Sequence, residues 1–186
     1  MATVTYRRQP AVEWLRGSVP LAGSSHLYTV EGVLWPHQVE RCLGRLVGDG
    51  LMMGGQSLHV CCGASQLGDV RLDLDACHSP DVLGDGARLP FPDDAFDVLL
   101  CDPPYTGRLQ WNHDLLSELA RVARRRLVFQ HWYVPATAYG YYRKCRWKFA
   151  LTELYLWLPR TYFGRAQVVS VWDRRWGLGP EADGRM

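Results

Sequence analysis

The sequence predicts an α/β fold built on one mostly parallel sheet, and three observations predict it. Short apolar runs alternate with stretches of helical spacing. One run, Phe96 to Cys101 (FDVLLC), is almost uniformly apolar, as a strand covered on both faces must be. Glycine or acidic residues stand just after these runs, where parallel sheets place their ligands. The 186 residues are 47% hydrophobic and 22% charged, enough for one domain with its own core, and this excludes disorder, collagen and coiled coil.

From Ser24 to Trp35 the chain reads as loop or short strand. Pro36 suits a first helical turn, and Val39, Leu43, Leu46 and Val47 recur at helical spacing until Gly48 and Gly50 stop the run. Ser57 to Cys62 is a short strand ending at Gly63, and Val70 to Leu74 is a second, ending among acidic residues. Only six residues separate Gly63 from Val70, whereas a helical crossover takes roughly a dozen or more. The first crossover is therefore shortened. After the strand at 96–101, His113 to Arg124 reads as a helix with Leu115, Leu116, Leu119 and Val122 on one side. Leu127 to Gln130 resumes a strand. Leu151 to Leu158 and Gln167 to Trp172 are two later strands, expected to form a hairpin at the C-terminal edge of the sheet, with helices on both sheet faces. A single domain over 1–186 is expected: an N-terminal segment and helix (1–50), a core (55–130) and a basic aromatic part (131–176).

No run reaches the roughly 18 to 20 apolar residues of a membrane span, and the N-terminus, with Arg7, Arg8 and Pro10, lacks a signal-peptide apolar stretch. A cytoplasmic protein without a membrane partner is expected. The cysteines at 42, 61, 62, 77, 101 and 145 form no CxxC pair and are expected to be reduced core residues. Cys61, Cys62, Cys77 and His78 make a poor metal set, because adjacent strand residues point to opposite faces. No metal is expected.

The net charge of +2 hides a division along the chain. Residues 1–120 carry 8 Arg and no Lys against 15 Asp and Glu; residues 121–176 carry 12 Arg and Lys against Glu153 and Asp173. The basic part also holds well over half of the aromatic residues, with Trp132, Tyr133, Tyr139, Tyr141, Tyr142 and Trp147 interleaved with Arg143, Lys144, Arg146 and Lys148. Cations that neutralise phosphates, mixed with flat side chains that stack on bases, suit single-stranded or flipped nucleotides.

The strand ends read Cys61-Cys62-Gly63-Ala64, then Asp73 and Asp75, then Asp85 between Gly84 and Gly86, then Asp102-Pro103-Pro104-Tyr105. A glycine after the first strand admits a ligand close to backbone, and a carboxylate after the second can accept both hydroxyls of a ribose. That is a nucleoside site. A dinucleotide does not fit this reading, since its pyrophosphate wants the N-terminus of the missing crossover helix.

With these residues in place, the sequence resembles the class I S-adenosylmethionine-dependent methyltransferases, and among them the amino-group methyltransferases with a [DNS]PP[YFW] tetrapeptide. The likeness lies in Leu58-His59-Val60-Cys61-Cys62-Gly63, Val70-Arg71-Leu72-Asp73-Leu74-Asp75, the stretch Gly84 to Asp97 and the DPPY at 102–105. It covers roughly residues 55–130 and implies a Rossmann-like sheet and S-adenosylmethionine as cofactor. It also implies that Cys61, Cys62, Gly63, Ala64 and Cys101 line the cofactor, that Asp73 (with Asp75 as its competitor) holds the ribose, and that Asp85 meets the adenine. Tyr28 would cover the cofactor. Asp102, Pro103, Pro104 and Tyr105 would be catalytic, with Tyr105, His131, Trp132, Arg143 and Lys144 on the substrate side.

An exocyclic amino group is a poor nucleophile because its lone pair is delocalised into the ring. The Asp102 carboxylate and Pro103 carbonyl would accept its hydrogens, and two prolines hold these acceptors without competing N–H donors. The expected reaction is methyl transfer to a base amino group, adenine N6 in DNA before an RNA base, a free base or a protein Gln or Asn amide. The competing reading is a methyltransferase-like module that binds nucleic acid or a partner without turnover. The part after the sheet core is too short for a separate target-reading domain; a homodimer or a specificity subunit could enlarge the reading surface.

Overall fold

The computed structural model describes residues 17–20, 27–30, 32–34, 36–104, 109–131, 148–157 and 167–174, with side chains described from Val39 onward except at 109–111 and 157. In chain order the elements are β1 (Gly17–Pro20), β2 (Leu27–Val30), β3 (Gly32–Leu34), α1 (Pro36–Gly50), β4 (Ser57–Val60), β5 (Val70–Asp73), a 3-10 turn (Ala76–His78), β6 (Val82–Leu83), β7 (Phe96–Cys101), α2 (Leu109–Val122), β8 (Ala123–His131), β9 (Phe149–Trp157) and β10 (Gln167–Arg174). β1 and β2 pair by themselves. The other eight strands form one sheet in the order β3-β9-β10-β8-β7-β4-β5-β6, in which β10 alone runs antiparallel to its neighbours.

All six residues of β7 are buried, and their alternation divides the core. Val98 and Leu100 face one way, into a cluster with Val39, Leu43 and Leu46 of α1. Leu99 and Cys101 face the other way, with Leu115, Leu116 and Leu119 of α2. Each helix thus buries one stripe against one sheet face, which is the predicted two-sided architecture.

The shortened crossover between β4 and β5 contains no helix among its residues 61–69, and hydrogen bonds to β4 take a helix's place. The Ser57 N–H and hydroxyl both donate to Asp69 Oδ2 at 2.8 Å, and the Asp69 N–H returns a bond to the Ser57 hydroxyl at 3.1 Å. Midway, His59 Nδ1 lies 3.3 Å from the Leu67 carbonyl. Gly68 adopts a φ of 95°, and a Cβ there would come within 3.1 Å of the His59 side chain. Only glycine lets the loop lie this close to the strand.

Several boundaries differ from the sequence reading. β4 stops at Val60 because Cys61 takes a left-handed φ of 56°. α1 continues through Gly48 to Gly50, and a Cβ on Gly50 would collide with Val98 and Arg126 at 2.7 and 2.8 Å. α2 begins at Leu109 and passes directly into β8 at Ala123, so the three arginines at 124–126 belong to a strand. Two of them have buried or partly buried partners: Arg124 reaches Asp97 at 3.1 Å, and Arg126 makes a bidentate pair with Asp173 at 2.7 and 2.8 Å. The β9–β10 hairpin forms, but β3 pairs beyond β9, so the hairpin is not the outermost part of the sheet. Cys77 is exposed and Cys61 half-buried, which corrects the expectation that the cysteines are core residues; Cys145 lies outside the described residues.

Two buried histidines make the fold acid-sensitive. Burial pulls His59 and His131 down to about 4. Both are neutral in the folded protein, while the unfolded chain protonates them below about pH 6.5. Their contribution is complete above that pH and declines as the pH falls toward 4. The urea midpoint should therefore drop between pH 7 and pH 5, and His59→Gln should flatten the dependence. A midpoint constant across this window would contradict the assignment.

Candidate functional site

Beyond the carboxyl ends of β4, β5, β6 and β7 lies a cleft of about 410 Å³, within the range of small-molecule sites. It brings together six residues that the sequence singled out: Cys61, Gly63, Asp73, Asp85, Asp102 and Pro104. They come from four separate strand ends. Parallel pairing of β4 with β7 and β5, and of β5 with β6, is what aligns those ends along one edge.

Asp73, the last residue of β5, is held by backbone. Its Oδ2 accepts the Gly63 N–H at 2.8 Å, its Oδ1 accepts the Asp75 N–H at 2.9 Å, and its carbonyl accepts the Gly84 N–H at 2.9 Å. Each carboxylate oxygen has a second lone pair, so the fixed carboxylate can still accept from two hydroxyls. Gly63 has a φ of 51°, and among the described residues no atom beyond its chain neighbours lies within 4 Å of where its Cβ would be. The space above this backbone is open to a ligand. Asp75 is the weaker candidate, because its exposed carboxylate caps the 3-10 turn by accepting the Cys77 N–H at 2.9 Å.

Asp85 is fixed in a similar way, its Oδ1 accepting the Ala87 N–H and its carbonyl the Arg88 N–H, both at 2.9 Å. The neighbouring Gly86 allows this turn to close on the core, since a Cβ there would stand 2.9 Å from Val60 and 3.0 Å from Leu115. Asp102 follows β7 directly. Its Oδ2 accepts from the Gln130 amide at 3.1 Å, and that same nitrogen donates to Gln167 Oε1 at 3.3 Å. Pro103 is buried and Pro104 exposed, so the dipeptide is anchored on one side and open on the other.

Cys62, Ala64, Cys101 and His131 are not among the residues that line the cleft. Cys62 is buried, its N–H bonded to the Leu72 carbonyl, and Ala64 stands in the turn that follows; neither lines the cleft. Cys101 is fully buried beneath the cleft, where burial and a hydrogen bond to the Cys61 thiol push its own thiol well up. It is a packing residue under Cys61. His131 is buried with its ring stacked on Phe129 at 5.6 Å between centroids, so it faces the core rather than the cleft. Tyr28 belongs to β2; Tyr105, Trp132, Arg143 and Lys144 lie outside the described residues. Among the described residues, no group of three His, Cys, Asp or Glu is placed to hold a metal ion.

The sequence reading missed Leu74, His78, Gly84 and Gly86 as cleft residues, and Gln130 behind Asp102. Leu74 carries a visible signal, being a large apolar side chain left 72% exposed at a strand end. Gln130 carries almost none in one dimension, because only the pairing of β8 with β7 brings it to Asp102.

No protein-family model matches the sequence, and a search of curated proteins found no match. Solved structures do match. The magnesium protoporphyrin IX methyltransferase ChlM of Synechocystis PCC 6803 with bound SAM is 20% identical, with a TM-score of 0.52 over 74% of this chain and 79% of that one. The N-methyltransferase NodS of Bradyrhizobium japonicum WM9, in complex with S-adenosyl-L-homocysteine, is 12% identical, with a TM-score of 0.55 over 74% and 86%. The 1,6-didemethyltoxoflavin-N1-methyltransferase of Burkholderia thailandensis is 12% identical, with a TM-score of 0.53 over 75% and 79%. At these identities the likeness establishes the fold, a Rossmann-like methyltransferase fold.

The Asp73 carboxylate is expected to stabilise the cleft before any ligand arrives. Asp73→Ala strands the Gly63 and Asp75 N–H groups and should cost about 1 to 3 kcal/mol in a urea titration, with faster amide exchange in residues 61–69. Unchanged stability and exchange would show that the two bonds do not hold the loop.

Proposed function

We propose that the protein transfers the methyl group of S-adenosylmethionine to an amino nitrogen, and that its acceptor is the exocyclic amino group of a nucleic acid base, adenine N6 in DNA. The observation that carries this reading is the convergence of Gly63, Asp73, Asp85, Asp102 and Pro104 on one cleft in a methyltransferase fold. The chain's residues fit the cofactor. Gly63 leaves open space beside backbone, Asp73 offers fixed oxygens to ribose hydroxyls, Asp85 offers an acceptor to the adenine amino group, and exposed Leu74 offers an apolar wall. S-adenosylmethionine, when bound, supplies an electrophilic methyl carbon on a sulfonium.

The acceptor chemistry falls to residues 102–105. The Asp102 carboxylate and the Pro103 carbonyl accept the two amino hydrogens, which draws the nitrogen toward a tetrahedral shape and returns its lone pair for attack. The proton released on methylation passes to the Asp102 carboxylate and then to solvent, while the Pro103 carbonyl serves only as a hydrogen-bond acceptor. No side chain need become covalently attached, so rate comes from positioning. Tyr105 supplies the stacking face for the base. A base in a duplex must leave the stack to reach the cleft, and the basic aromatic part of the chain has the composition to hold the displaced strand.

Incubation with methyl-labelled S-adenosylmethionine and separate DNA, RNA and protein pools tests the reading. Label is expected in N6-methyladenine of DNA. Label in RNA or in a protein amide alone would replace the acceptor and keep the chemistry; label in none would overturn the proposal. Asp102→Ala should bind S-adenosylmethionine as the wild type does in calorimetry, while transfer falls by about 100- to 1,000-fold, as for loss of a preorganised transition-state contact.

A further inference from the structure

We infer that Gln130 is a positioning residue that fixes the Asp102 carboxylate for the acceptor amino group, an inference that rests on the amino-methylation reading above. Gln130 lies in β8, 3% exposed, in a run that is otherwise apolar from Leu127 to Phe129. The β7–β8 register pairs Cys101 with Phe129, so the next residues, Asp102 and Gln130, stand side by side where the sheet opens into the cleft.

The geometry uses the whole of the amide nitrogen. Its two hydrogens go to Asp102 Oδ2 at 3.1 Å and to Gln167 Oε1 at 3.3 Å. The amide oxygen is buried and has no hydrogen-bond partner among the described residues. Turning the amide over would set that oxygen against a carboxylate that can only accept. Asp102 therefore dictates the orientation, at the expense of an orphaned buried acceptor. An apolar side chain would fill this place without such an orphan, as Val128 and Phe129 fill theirs. A buried polar group left partly unsatisfied calls for an explanation in function.

The explanation is rotational. The torsion that turns an Asp carboxylate about its Cβ is soft, so an unsupported carboxylate presents its oxygens over a broad arc. An acceptor that must pull a planar amino group out of conjugation has to meet its hydrogen from one direction. A donor buried in the adjacent strand removes that freedom before substrate arrives, and Gln167 of β10 in turn holds the donor.

The test compares wild type, Gln130→Met, Gln130→Glu and Gln167→Met by steady-state methylation, with calorimetry of S-adenosylmethionine and thermal melting alongside. Gln130→Met keeps the length and loses the donor. It should bind S-adenosylmethionine within about twofold of wild type, keep KM for the acceptor within about threefold, and lose about 10- to 100-fold in kcat. Gln130→Glu, which puts a carboxylate beside a carboxylate, should lose at least as much, and it carries the test if Gln130→Met does not fold. Gln167→Met, which leaves the Asp102 bond in place, should lose less than either. A Gln130→Met enzyme with wild-type kcat overturns the inference while the methylation reading stands. Loss of cofactor binding in step with kcat also overturns it, by showing a merely structural role. A wild-type protein that methylates no acceptor overturns both.

Discussion

The structure depends on one constraint: β7 is covered on both faces. Six consecutive buried residues, Phe96 to Cys101, require a helix against each side, and α1 and α2 supply them through Leu46 and Leu115 and their neighbours. With both faces closed, only the strand ends remain open to a ligand. The cleft at the carboxyl ends of β4 to β7 is thus a consequence of how the core is buried. Its chemistry is concentrated at the strand ends and in the loops that follow them, since β7 itself is buried along its whole length.

Those loops are stiffened by carboxylates bonded to backbone N–H groups. Asp69 closes the base of the β4–β5 crossover on Ser57, Asp73 ties its top through Gly63, and Asp85 closes the turn after β6. A helix in that crossover would have satisfied its own backbone; the short loop delegates the task to side chains. Two of these carboxylates, Asp73 and Asp85, also line the cleft. Cys61 carries part of the cost, since a left-handed φ in a residue with a Cβ is strained by about 1 to 2 kcal/mol. Strain of this kind collects where a strand must end abruptly beside a ligand site.

How much of this was legible in the sequence follows from where the information lies. FDVLLC was predicted at 96–101 and found there, because burial on both faces leaves a uniform apolar run that no amphipathic helix shares. The acidic residues at successive strand ends pointed to one edge before any pairing was known. The start of β8 differs, since the sequence pattern carries the helix to Arg124 and begins the strand at Leu127; the pairing of Arg126 with Asp173, 47 residues away, is a tertiary fact. β6 is two residues long, and in the sequence only the acidic residue at its end, Asp85 between two glycines, marks it. Gln130 reads as an interruption in LVFQH, and its bond to Asp102 spans 28 residues of sequence. Local pattern reveals burial, and the cooperation of distant polar groups appears only with the register.

The account requires a nucleoside-bearing cofactor to sit against Gly63, Asp73 and the turn at Gly84–Gly86. The most direct measurement is an amide NMR titration of the whole protein with S-adenosylhomocysteine, the unreactive product form. Saturable shifts concentrated at Gly63, Asp73 and Asp85, with those at Asp49, Arg125 and Arg174 on the far edge unmoved, are the expected result. No saturable shift, or shifts centred on the far edge, would contradict the account.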